Sequence, residues 1–198
     1  ALAIMETPAQ CGADVAVGEG QPLGMPLAFG GPYLGFMAAT KEMMRKLPGR
    51  IVGETVDTDG KRGFVLTLQA REQHIRREKA SSNICSNQAL CALTASVYLS
   101  AMGPEGLKQV ATLCTSKAHY LRDKLERAGL KPVYDQPFFH EFVTECPVDG
   151  KVLMSQLESR GFLGGLLLED KRILWCATEM NEKAEIDRLA ELVKEVCG

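Results

Sequence analysis

The chain has few aromatic residues and almost no histidine. Of its 198 residues 6% are aromatic, with one tryptophan and three histidines, beside 45% hydrophobic residues, the composition of an ordinary globular chain. It has no excess of positive charge: the formal net charge of −2 excludes general nucleic-acid binding, which needs a broad basic face to displace counterions. No apolar run approaches the ~20 residues that span a bilayer, so no transmembrane helix and no membrane partner are expected. The opening ALAIMETPAQ has neither a basic n-region nor a long apolar h-region, so a signal peptide is not expected. It also starts without methionine, which reads as a chain excised from something longer or as a processed one.

Cysteine is present, but not in a framework. Seven cysteines, an odd number, occur without CxxC spacing. Several sit in apolar periodic contexts where a thiol behaves as a small hydrophobe. They are read as reduced, in a cytoplasm or an organelle matrix. Cys85 and Cys91, six apart, fall on nearly opposite faces of an expected helix and cannot share a metal there. No metal site is expected. The G-x-S-x-G elbow is absent too. Gly18-x-Gly20-x-x-x-Gly24 misses the dinucleotide fingerprint by one residue, and Pro22 stands where the helix should open.

What is present is concentrated. Between Leu66 and Gln88, Arg71, Arg76, Arg77 and Lys79 crowd around His74, and Ser81, Ser82, Asn83, Ser86 and Asn87 follow. Such a cluster is suited to binding oxyanions or acidic partners, or is a solvated charged loop. The arginines have the geometry to clamp phosphate or carboxylate, and Glu72 and Glu78 stand close enough to pair with them instead. His74 is suited to accept, to stack or to act as a base.

The pattern along the chain is that of mixed helices and strands. Asp14 to Gly18 reads as a strand, and Phe36 to Ala39 as another. Between them lies the glycine- and proline-rich stretch Gly18 to Gly35, costly to order unless close approach to a ligand or partner needs it. Lys41 to Leu47 is a short helical piece. Ile51 to Val56 and Phe64 to Leu68 form a hairpin around an Asp59-Gly60 turn. A helix follows from about Asn87 to Met102, with Ala89, Leu90, Leu93, Val97 and Tyr98 as its apolar face. A second carries Leu107, Val110, Ala111, Cys114, Ala118, Leu121, Leu125 and Ala128 at three-and-four spacing, closed by Gly129. Then come strands at Lys131 to Tyr134 and Phe138 to Thr144, a helix at Lys151 to Ser159, strands at Gly161 to Leu168 and Arg172 to Ala177, and a terminal helix from Glu182 to Val196. His119 falls off its helix stripe and should be exposed. His140 shares a strand face with Phe138 and Phe142, which reads as a structural histidine. No complete catalytic set is visible.

The runs GADVAVGEGQPLGMPLAFGGPYLGFMA, from Gly12 to Ala38, and LPGRIVGETVDTDGKRGFVLTLQAREQHIRREKASSNICSNQAL, from Leu47 to Leu90, resemble the glycine cleavage system P-protein, glycine decarboxylase. The likeness is to its alpha subunit, equivalently the amino-terminal half of the single-chain form, and to the carboxy-terminal portion of that subunit. The resemblance implies an α/β chain of fold-type I pyridoxal-phosphate-dependent transferase architecture. Residues 1–97 would be the tail of a large domain built on a mostly parallel sheet, and residues 98–198 a small α/β domain. It further implies decarboxylation of glycine with pyridoxal phosphate and transfer of the aminomethyl group to the lipoyl H-protein, in a heterotetramer.

Covalent attachment of that cofactor requires a lysine. In the beta-type half a His-Lys pair follows the strand corresponding to Asp14–Gly18. Here the place reads Gly18-Glu19-Gly20-Gln21-Pro22, and no lysine precedes Lys41. The resemblance therefore assigns pyridoxal phosphate to a partner beta-type subunit, leaves this chain without a catalytic residue, and implies that the isolated chain is inactive. Arg71, His74, Arg76, Ser82, Asn83, Gly30 and Gly31 become candidates for the face turned to the partner's cofactor. The alternatives are a truncated, non-catalytic structural or interaction module, and an independent phosphate-ligand binder using the arginine cluster.

Overall fold

A computed structural model describes residues 1–48, 51–68, 72–80, 87–169 and 171–198. Within these the chain divides into two compact units, one of Glu6–Ala101 and one of Met102–Gly198 with Ala1–Met5. No described helix is long and apolar enough to cross a membrane.

The first unit is built from two hairpin-like pairs. Strand β1 (Val15–Glu19) pairs antiparallel with β2 (Gly35–Ala39), Val15 opposite Ala39 and Glu19 opposite Gly35. A 3-10 helix (Lys41–Lys46) follows. Strands β3 (Ile51–Val56) and β4 (Arg62–Thr67) form the expected hairpin. Its turn is held by the Asp57 carboxylate, whose Oδ1 accepts from the amides of Asp59 and Lys61 at 2.9 and 2.8 Å. Gly60, at φ +77°, takes the left-handed position that glycine tolerates without strain. A four-residue helix α1 (Gln73–Arg76) and a 3-10 turn (Arg77–Lys79) follow.

Helix α2 (Ala89–Arg127) contains both expected helices, joined where Gly103 departs from helical geometry (φ 61°, ψ −179°). Pro104 comes next, at the start of the second segment, where a missing N–H costs nothing. The second segment buries the stripe that its spacing predicts: Ala111, Cys114, Ala118, Leu121, Leu125 and Ala128. The first segment does not. Leu90, Leu93 and Val97 are 76%, 59% and 61% exposed, while Cys91 and Ala95 are buried. Of the expected apolar face Tyr98 is half-buried beside Gly24, while Leu90, Leu93 and Val97 stay largely open to solvent.

The second unit holds a four-stranded antiparallel sheet in the order β5-β6-β8-β7: β5 (Lys131–Pro132), β6 (Glu141–Glu145), β7 (Leu166–Glu169) and β8 (Arg172–Cys176). One sheet face carries Phe142, Thr144, Ile173 and Trp175 into a core with Leu125, Leu153, Leu157 and Val193 from the helices. Buried Trp175 donates its indole N–H to the buried Thr144 hydroxyl at 2.8 Å, so the core holds no unpaired indole. Helix α3 (Gly150–Glu158) is capped by Asp149, which accepts from the Lys151 amide at 2.8 Å. Helix α4 (Lys183–Cys197) opens with a Glu182–Glu185 capping box.

Two strands begin later than their apolar pattern suggests. Phe138 stacks on His119 with ring centroids 4.1 Å apart, and its carbonyl meets His119 Nε2 at 3.2 Å, which holds it in the loop ahead of β6. Gly161, at φ +83°, closes α3, with Phe162 N–H donating to the Leu157 carbonyl at 3.0 Å. Only after that cap can β7 start. Every strand pairing among the described residues is antiparallel, so the mostly parallel sheet implied for the large domain has no ladder in them.

Candidate functional site

The end of β1, where the resemblance leads one to look for a cofactor lysine, is closed by Glu19. Its Oε1 accepts from the Gln21 amide at 3.0 Å and from the Leu34 amide at 2.7 Å. Gly20 N–H donates to the Leu34 carbonyl at 2.6 Å, and Gln21 Nε2 to the Met25 carbonyl at 2.8 Å. One carboxylate thus draws the two ends of the 20–34 loop together, Glu19 reaching an amide fifteen residues away in sequence. The donor set at this position does not fit covalent attachment of pyridoxal phosphate. No amine is present there, and the carboxylate is engaged with the backbone.

Gly30 and Gly31 sit near the far end of that loop with φ of +129° and +114°. An added Cβ on Gly30 would meet nothing within 4 Å, so the glycine there answers to backbone conformation rather than to crowding. Phe29 beside them is 95% exposed. His74 and Arg76 lie exposed on α1. Glu72 ahead of them is buried, and its carbonyl accepts from the amides of Ile75 and Arg76 at 3.1 and 2.8 Å. Arg77 adopts a left-handed φ of +53°, unusual for a non-glycine residue. Arg71, Ser82 and Asn83 fall outside the described residues, as does Cys85.

In the second unit a cavity of about 770 Å³ opens between β8, α4 and the 161–165 loop. Trp175, Phe162 and Leu189 line it, with Glu141, Cys176 and Arg188 among its polar members. His140, Glu141 and Cys176 offer ligand atoms that all lie within 4.8 Å of one another. Burial, and then the Glu141 carboxylate, push the Cys176 thiol above its ordinary pKa. Elsewhere Cys146 and Cys197 bring their sulfurs to 3.9 Å, and burial followed by Cys146 raises Cys197 to about 12. Cys114 donates to Glu179 Oε2 at 3.1 Å and is likewise raised, chiefly by burial. None of these groupings is visible along the sequence. The one signal was the pairing of residues 141–145 with 172–176, which two adjacent strand patterns suggest but do not align.

The fold is that of the fold-type I pyridoxal-phosphate-dependent transferases. It superposes on aspartate aminotransferase of subgroup IV from Thermus thermophilus with a TM-score of 0.64 at 18% identity, covering 100% of this chain and 54% of that one. A crystal structure of glycine decarboxylase (P-protein) of the glycine cleavage system, in inhibitor-bound form, matches with a TM-score of 0.93 at 46% identity, over 98% of this chain and 46% of that one. The sequence profile of the glycine cleavage system P-protein matches residues 1–193, and the chain belongs to that family. The probable glycine dehydrogenase (decarboxylating) subunit 1 of Moorella thermoacetica is 53% identical over 98% of the chain. The chain spans 46% of that relative's length.

Proposed function

We propose that this chain is part of the half of a glycine decarboxylase that lacks the cofactor lysine, in an enzyme that decarboxylates glycine and passes the aminomethyl group to the lipoyl H-protein. The reading is carried by its 53% identity to a protein named as subunit 1. The engaged carboxylate at the end of β1 supports it. Pyridoxal phosphate is assigned to the partner beta-type subunit, and no step on this chain runs through it. Residues 1–97 are read as the tail of the large domain and residues 98–198 as the small domain. The chain's contribution is to shape the site and the subunit interface. Gly30 and Gly31, together with Arg71, His74, Arg76, Ser82 and Asn83, are proposed to face the partner, and the heterotetramer to work in a cytoplasm or organelle matrix.

The exposed apolar residues fit obligate association. Val17, Phe36, Met37, Val52, Val56, Phe64 and Leu93 are at least 40% exposed, and such surface is normally covered by further protein. In the whole enzyme the rest of the subunit and its partner provide that cover. The isolated chain is therefore expected to be inactive.

Two measurements test the reading. Treatment of the isolated chain with pyridoxal phosphate and borohydride should leave no stoichiometric adduct; one adduct on a single lysine overturns the assignment of the cofactor to the partner. Co-expression with a beta-type subunit should yield glycine–bicarbonate carbon exchange that depends on this chain. His74→Ala or Arg76→Ala should lower that exchange about tenfold or more, as loss of a hydrogen bond to a charged group does, with assembly unchanged by size-exclusion chromatography. Unchanged exchange in both variants would remove these residues from the site while leaving the subunit reading intact.

A further inference from the structure

Glu141 and Cys176 are direct partners in the β6–β8 ladder. They stand on the outer sheet face, opposite the buried pair Phe142 and Trp175. The ladder runs one step further, because Ala177 N–H donates to the His140 carbonyl at 3.3 Å. That bond holds the histidine backbone at the corner of the sheet. The His140 ring lies edge-on to Phe139 with centroids 4.8 Å apart, which narrows its rotamers. An imidazole, a carboxylate and a thiol are thereby held together by backbone pairing rather than by each other. Among the described residues none of the three side chains is taken up by a hydrogen bond or an ion pair, so all three ligand atoms are available.

We propose that His140, Glu141 and Cys176 bind one divalent transition-metal ion of the Zn²⁺ type. Tetrahedral coordination at ordinary Zn–N, Zn–O and Zn–S lengths places ligand atoms roughly 3.3–3.6 Å apart. The observed spread of up to 4.8 Å closes to that range with about an ångström of movement at the side-chain tips. A neutral imidazole with a carboxylate and a thiolate balances a 2+ ion. The sulfur and nitrogen donors select Zn²⁺ or Co²⁺ over Mg²⁺ and Ca²⁺. Three protein ligands leave a fourth position to water or a small ligand, the pattern of an open site rather than a closed structural one. Glu141 and Cys176 also line the 770 Å³ cavity, so such a ligand has a route of entry. This site stands independently of the glycine decarboxylase reading, and a failure of either leaves the other untouched.

The test uses the 198-residue chain, stripped of metal with a chelator and titrated with Co²⁺ and then Zn²⁺. One equivalent of Co²⁺ should bind with a thiolate-to-cobalt charge-transfer band, displaced by one equivalent of Zn²⁺. Cys176→Ser should abolish the band. Glu141→Gln and His140→Ala should each weaken Zn²⁺ binding at least tenfold by calorimetry, with unchanged circular dichroism. Cys11→Ser, a cysteine remote in sequence and exposed, should bind as the parent does. Binding well below one equivalent, a charge-transfer band that survives Cys176→Ser, or parent-like Zn²⁺ affinity in both Glu141→Gln and His140→Ala overturns the proposal.

Discussion

Asp187 shows how a residue acquires a role that its neighbours in sequence do not announce. Its Oδ1 accepts from the Tyr120 hydroxyl at 2.6 Å and from Lys124 Nζ at 2.7 Å, and its Oδ2 from Lys183 Nζ at 2.7 Å. Hydrogen bonds from Lys124, Lys183 and Tyr120 hold its carboxyl well below the usual carboxylate range, and the same contacts raise both lysines. A depressed carboxyl contributes stability that is present above its unfolded value of about 3.9 and is lost as pH falls through its folded value. The raised lysines contribute below about 10.4 and lose that contribution as pH rises through their folded values. Lys183 is largely exposed, its side chain 73% accessible, so the contribution is screened by salt. Urea denaturation at a series of pH values should therefore show Asp187→Asn less stable than the parent at neutral pH. The gap between the two curves should begin to close as pH falls below about 3.9 and keep narrowing toward the depressed folded value. Parallel curves across that range would contradict the assignment. Lys183–Asp187 is an i,i+4 pair and legible in sequence; Tyr120 and Lys124, on a distant helix, are not.

At the scale of elements, Glu19 is the residue to perturb. Its carboxylate joins the amides of Gln21 and Leu34, so the 20–34 loop is closed by side-chain chemistry as well as by the β1–β2 ladder. Glu19→Ala removes the acceptor and should cost the loop about 0.5–1.5 kcal/mol, the net worth of an ordinary intramolecular hydrogen bond. Hydrogen exchange read by NMR should show the Leu34 amide exchanging faster, by roughly threefold to tenfold. Glu19→Gln, which keeps a carbonyl acceptor, should recover most of the protection. Equal exchange in all three proteins would show that the ladder alone holds the loop. Element types were largely readable: the Asp59-Gly60 turn, the three-and-four stripe of α2 and the α3 and α4 helices appear close to where periodicity and capping residues put them. Element starts were less so. The β6 and β7 boundaries depend on a stacked His119–Phe138 pair and on a left-handed Gly161, contacts that an apolar run cannot report.

At the scale of the molecule, burial among the described residues is uneven. The contiguous core lies in the second unit, where Leu125, Leu153, Leu157, Ile173 and Val193 have no exposed surface. The first unit leaves valines, phenylalanines and leucines open to solvent. Leu157→Ala should lower the stability of the second unit by about 2–5 kcal/mol, the range for truncating a fully buried leucine. Leu93→Ala should change the stability of the isolated chain by no more than about 0.5 kcal/mol, as surface substitutions do. The same Leu93→Ala should weaken assembly with the rest of the enzyme if its face is covered there. Guanidinium melts and a pull-down with the beta-type subunit separate the two effects. A large loss of stability for Leu93→Ala in the isolated chain would mean that its face is already packed.

Sequence by itself determined most element types and the family resemblance, because periodicity, turn chemistry and contiguous motifs are local properties of the chain. It also located Gly30 and Gly31, since a glycine-rich stretch signals backbone demands through residue type alone. Tertiary structure alone decided what covers each apolar face: Leu121 and Leu125 are buried and Leu93 is not, although all three read as stripe residues. It alone decided that His140 and Glu141 meet Cys176, and that Asp187 collects two lysines and a tyrosine. The physical reason is common to these cases. Strand register and helix docking bring together residues tens of positions apart, and no local pattern encodes the alignment that makes them neighbours.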